Sequence, residues 1–190
     1  MQDGALMNTP DWRRPLWLAL LVAASVATSL AFACAVPFAA FAAAAALTLS
    51  LPEALVLVGA VWLANQIAGF GFLGYSWDAS TIAWGVALGA IAMLSTIAAR
   101  GAAFRLGGAG VAAASVAAFL AAFVVYEGAL FVVAATALGG TEDFTPAIVG
   151  RICAINAIAM AALLVANRLA TAIGLVEPAG MHLSPSERHA

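Results

Sequence analysis

Apolar runs broken by short polar interruptions dominate the chain. From Pro15 to Leu49 almost every position is apolar, and Pro37 is the one break in the run. Ser50-Leu51-Pro52-Glu53 then has the form of a capping box: a hydroxyl and a carboxylate satisfy free N–H groups at a helix start, and proline is tolerated in the first turn. An apolar span follows to about Phe72, and the interval from Gly71 to Asp78 reads as a loop. The next span runs from about Ala79 to Ala99 and ends at Arg100 and Arg105 among Gly101, Gly107 and Gly108. A long run covers Ala109 to Leu138 and closes on Gly139-Gly140-Thr141-Glu142-Asp143. Thr145-Pro146, an N-cap followed by proline at the first helical position, opens a last span to about Ile173.

The first run needs arbitration. A single helix over 15–49 would be about 52 Å long, too long for a bilayer even when tilted. Two helices turning near Pro37 make the second one short. The positive-inside rule favours two, because Arg13-Arg14, Arg100, Arg105, Arg168 and Arg188 then share the cytoplasmic side. The expected fold is an all-α, polytopic bundle of six transmembrane helices with short loops and both termini cytoplasmic. Residues 1–14 form a polar N-terminal tail, 15–174 the transmembrane domain and 175–190 a polar C-terminal tail. A rival reading takes 15–35 as a cleaved signal ending at Ala33-Cys34-Ala35.

Composition narrows the class. The 190 residues are 65% hydrophobic and 8% charged, against about a quarter charged in a soluble domain. Such a surface cannot be solvated by water, so a soluble globule and a nucleic-acid binder are excluded, and the lipid bilayer is the expected surrounding. All seven basic residues are Arg. Without Lys there is no P-loop and no Schiff-base chemistry. Both histidines, His182 and His189, fall in the C-terminal tail, leaving no imidazole for a metal or haem inside the membrane. Cys34 and Cys153 lie in apolar segments without a C-x-x-C pattern; they read as small packing residues or, alternatively, as a soft ligand or disulfide pair. No cofactor, metal site or catalytic residue is expected.

The candidate chemistry lies in the few polar residues at membrane depth. Trp62, Asn65, Gln66 and Gly69 recur at helical spacing in the third span. Tyr126 and Glu127 lie in the fifth, with Glu127 roughly 16 Å below the outer helix end. Asn156 lies at similar depth in the sixth. Tyr75, Trp77 and Trp84 flank this layer from above. An intramembrane acid is functional by default, and adjacent carboxamides are expensive against lipid. The bland alternatives are interfacial aromatics and interhelical glue. Because the polar groups gather in the outer half, they suggest a pocket rather than a pore, which needs polar lining at every depth. Asn65, Gln66, Tyr75, Trp77, Trp84, Tyr126, Glu127 and Asn156 are the candidate solute-binding residues. Ala19, Ala23, Ala27, Ala31 and Ala35 repeat every four residues on the first helix and mark a face that another helix can approach closely.

In topology the chain resembles the S-components, the substrate-binding subunits of energy-coupling-factor vitamin transporters. The similarity is one of style over Pro37-Phe38-Ala39-Ala40-Phe41 and Trp62-Leu63-Ala64-Asn65-Gln66-Ile67-Ala68-Gly69-Phe70. It implies uptake of a vitamin- or cofactor-like solute across a bacterial inner membrane. It also implies docking of the Ala19–Ala35 face on a transmembrane coupling subunit that recruits ATPases. Two other functions stay open from the residues alone: a non-transporting scaffold that binds membrane proteins through its Ala faces, and a proton-coupled carrier in which Glu127 titrates.

Overall fold

The computed structural model describes residues 12–31 and 36–176. Among them are six α-helices and no strand: α1 (Arg13–Ala31), α2 (Phe38–Thr48), α3 (Leu51–Gly71), α4 (Ala79–Leu106), α5 (Val111–Val133) and α6 (Pro146–Ala172). The last turn of α5 widens into a π-helix over Ala134–Leu138. Four segments, Leu51–Gly71, Ala79–Ala109, Val111–Leu138 and Pro146–Ala172, are long and apolar enough to cross a membrane. The 15–49 run does divide into two helices, with Pro37 at the N-cap of the second. That second helix is only 11 residues, about 16 Å, or half of a bilayer core of about 30 Å.

This short helix is the hub of the bundle. It packs against α3, α4, α5 and α6, and every residue from Phe38 to Ala46 is buried. A sequence of two Phe and mostly Ala over this stretch lets four neighbours approach closely, because Ala adds little bulk to a helix surface. The tightest antiparallel pair is α4 with α5. Small residues make up the buried positions of both helices: Ala114, Ala118 and Ala122 on α5, and Ala92, Ser95, Thr96, Ala99 and Ala103 on α4. Large apolar residues point the other way, with Val56, Leu63, Ile67, Val86, Leu94, Val124, Ile158 and Leu169 exposed. Small residues inside and large aliphatics outside is the arrangement a hydrocarbon solvent rewards.

Local signals placed the helix starts. The Ser50 N–H donates to Glu53 Oε2 at 3.1 Å and the Ser50 hydroxyl donates to the same oxygen at 2.5 Å. Thr145 Oγ1 accepts from the Ile148 N–H at 3.3 Å, with Pro146 at the first helical position. A string of polar contacts then ties one end of the bundle together. Arg13 Nη1 donates to Gly174 O at 3.1 Å, Arg14 is ion-paired with Glu53, and Arg100 reaches the carbonyls before Ser50. The arginines that open α1 and Arg100, in the last two turns of α4, therefore share one end, as the two-helix division of 15–49 requires.

Candidate functional site

Both termini of α2 lie inside the protein, where free N–H and C=O groups have no water to bond. At its N-terminus, Asn156 of α6 supplies the acceptor: Asn156 Oδ1 takes the Ala40 N–H at 3.0 Å, and Asn156 Nδ2 donates to Ile152 O at 3.0 Å. With Asn156 3% exposed and both ends of its carboxamide engaged, it holds α2 rather than facing a solute. At the opposite terminus, Arg100 of α4 donates to Ala46 O at 2.7 Å and Leu49 O at 2.8 Å, the carbonyls that a helix end leaves free.

Beside the N-terminus of α2 is a cavity of about 90 Å³ lined by Val36, Phe38, Asn65, Gln66, Leu73, Tyr75, Leu88 and Tyr126. Four of the eight candidate binding residues converge there: Asn65 and Gln66 from α3, Tyr75 from the loop after it, and Tyr126 from α5. The Tyr126 ring lies 6.0 Å from that of Phe38, which fixes it against the start of α2. Asn65, 7% exposed, also braces α3 on α1, its Nδ2 donating to Ser25 Oγ at 3.2 Å and Val61 O at 2.8 Å.

The expected single face of Trp62, Asn65, Gln66 and Gly69 is shared between neighbours. Asn65 turns to α1. Trp62 turns to α4, where its indole N–H donates to Gly85 O at 2.7 Å and its ring lies over Gly89. Gln66 lies across Gly85, and the Tyr75 ring covers Gly69. At each of these three glycines a Cβ would fall within 3 Å of the covering side chain; the absence of a side chain is what lets the larger group lie flat.

The 72–78 loop roofs the cavity. The Leu73 N–H donates to Ala68 O at 3.0 Å and the Tyr75 N–H to Gly69 O at 3.1 Å, folding the loop back on the end of α3. Phe70 packs against Trp77 at 4.5 Å and edge-on against Tyr75 at 5.9 Å between ring centroids. Trp77 is 75% exposed, so it caps the loop from outside. Asp78 anchors the far end of the loop: Oδ1 accepts the Thr81 N–H at 2.8 Å, and the Ser76 hydroxyl donates to Oδ2. These bonds, the Ser76 hydroxyl first, hold the Asp78 carboxyl below its ordinary value, down to about 2.

No protein family, curated protein or solved structure matches the chain. The site therefore stands on its own geometry.

The remaining candidates lie elsewhere. Trp84 is half-buried on α4, away from the cavity lining. Glu127 is 9% exposed, next to Tyr126 in sequence but rotated about 100° from it on α5, and it does not line the cavity. Among the described residues no donor reaches its carboxyl group. Ala19, Ala23 and Ala27 are exposed on α1; the Ala31 side chain, Ala35 and Cys34 lie outside the described residues. Cys153 carries a free thiol, and no cluster of metal-ligating side chains occurs among the described residues. Sequence reasoning missed Arg100 as a helix cap and missed Val36, Phe38, Leu73 and Leu88 as lining. The break at Pro37 was the available signal, because it creates two helix ends that must be capped from afar.

Proposed function

We propose that the protein is a multi-pass subunit of a cytoplasmic membrane that binds a small vitamin- or cofactor-like solute for uptake. Both termini would be cytoplasmic and the site would lie in the outer half of the bundle. The observation that carries this is the convergence of Asn65, Gln66, Tyr75 and Tyr126 from two helices and a loop on one roofed cavity. Side chains that serve only as interhelical glue need no cavity between them. The end carrying Arg13, Arg14 and Arg100 is the cytoplasmic one by the positive-inside rule, which puts the cavity and its roof outside. At about 90 Å³ the cavity falls short of the roughly 300–1,000 Å³ of small-molecule sites. The 72–78 loop therefore lifts to admit a whole vitamin-sized solute. The exposed Ala19, Ala23 and Ala27 face leaves room for a coupling subunit of the S-component type to dock on α1.

Mass spectrometry of small molecules retained through purification tests the proposal. A stoichiometric solute that is lost in Gln66→Leu and Tyr126→Phe is expected. A preparation with no retained solute, and no response to a vitamin panel, overturns it. A second reading, a scaffold without a solute, draws on Asn65 and Asn156, whose bonds to Ser25 and Ala40 do tie helices together. It expects both variants to change stability with no ligand ever seen.

A further inference from the structure

We infer that the cavity at the N-terminus of α2 receives the uncharged, planar amide end of its solute, held between the Gln66 carboxamide and the Tyr126 hydroxyl. This rests on the solute-binding reading above and adds the charge and shape of the group recognised. Tyr126 is 6% exposed, and among the described residues neither its hydroxyl nor the Gln66 carboxamide has a hydrogen-bond partner. Yet no side-chain nitrogen or oxygen among the described residues is both sealed from solvent and unpaired. Both residues line the cavity, and both polar ends are accessible and unpaired. A carboxamide offers a donor and an acceptor side by side, and a phenol hydroxyl offers either. A ligand amide presents the complementary pair, whereas a carboxylate has no donor and an amidinium no acceptor.

Charge decides between these three. Among the described residues no Arg, Asp or Glu lines the cavity, and the guanidinium of Arg100 is occupied at the opposite end of α2. An ion placed here would lose its water with no counter-ion among the lining residues, a cost above that of a neutral amide with its hydrogen bonds satisfied. The aromatic faces of Phe38, Tyr75 and Tyr126 suit a flat group, and a cavity of about 90 Å³ takes a small end group rather than a whole solute.

The test uses three molecules of one shape: acetamide, acetamidinium and acetate. Each is titrated against the full chain in lipid nanodiscs with tryptophan fluorescence as readout. Acetamide is expected to bind at least tenfold more tightly than either ion. Gln66→Glu is expected to reverse the order in favour of acetamidinium, which a merely structural Gln66 would not do. Tyr126→Phe is expected to weaken acetamide about tenfold while leaving the ranking intact. An ion that matches or exceeds acetamide overturns the neutral-amide assignment and leaves solute binding standing. A flat response to all three also overturns it, and the solute retained in purification judges the underlying reading separately.

Discussion

The two ends of α2 face the same problem and solve it with opposite means. At the C-terminal end a full charge, Arg100, satisfies two carbonyls, and the neighbouring Arg14–Glu53 pair and Ser50–Glu53 bonds close the surface. The cavity left beside that half of the helix is about 20 Å³, room for a single water. At the N-terminal end a neutral carboxamide, Asn156, satisfies one N–H, and about 90 Å³ stays open under a short loop. A charged cap draws its neighbours into a fixed network, while a neutral cap leaves adjacent polar groups free to engage something else. The firm end is closed by the fold itself, and the loose end is the one that carries the proposed ligand site.

Substitutions at four positions, Arg100, Asn156, Gly69 and Asp78, break or sharpen that contrast. The largest effect is expected from Arg100→Met, which strips the donors from two interior carbonyls. A loss of about 3 kcal/mol in unfolding from lipid is expected, with Arg100→Lys recovering part of it. Asn156→Leu comes next, at about 1–2 kcal/mol for one interior N–H left without an acceptor. Equal losses at the two ends would erase the difference drawn between them. Gly69→Ala follows at about 1 kcal/mol. A Cβ there would overlap the Tyr75 ring, so the ring is expected to swing out and the cavity to lose its roof. Thiol labelling of Leu73→Cys should then rise severalfold, and an unchanged rate would show that Tyr75 does not hold the loop closed.

The smallest effect concerns acid. The Asp78 carboxyl is held down at about 2 in the fold, below an ordinary carboxylate near 4. A depressed folded value stabilises the loop above the unfolded value, and that contribution is lost as pH falls through the folded one. Trp77 emission is therefore expected to shift between about pH 4 and 2. Asp78→Asn should abolish that shift.

What the sequence made legible was what acts over one helical turn. The starts at Ser50 and Thr145 are contacts across three residues, and each is made. The division of 15–49 at Pro37 was equally local, since proline removes a donor and biases the residue before it out of helix. Depth along a helix was legible too, which is why Asn65, Gln66 and Tyr126 were gathered into one layer. Azimuth was not. Whether Asn65 turns to α1 or to the cavity depends on which helix lies on each side, and so does the placing of Glu127 away from Tyr126. The two caps of α2 join Arg100 to Ala46 and Leu49, and Asn156 to Ala40, across 54, 51 and 116 residues. No periodicity carries that information. The uniform apolarity of these helices removes the usual cue as well, because a residue facing lipid and a residue facing protein are both hydrophobic.

The hydrogen bond from Arg13 to Gly174 O brings the first and last described helices together at one rim. Chain ends that meet at one rim can be joined and the chain reopened elsewhere. A circular permutant joined by a short Gly-Ser linker between the helix α6 exit and the α1 entrance, and cut within 72–78, would keep every helix neighbour while freeing the roof. It would turn the lid into a pair of chain ends, and make access to the chamber beneath a matter of tether length.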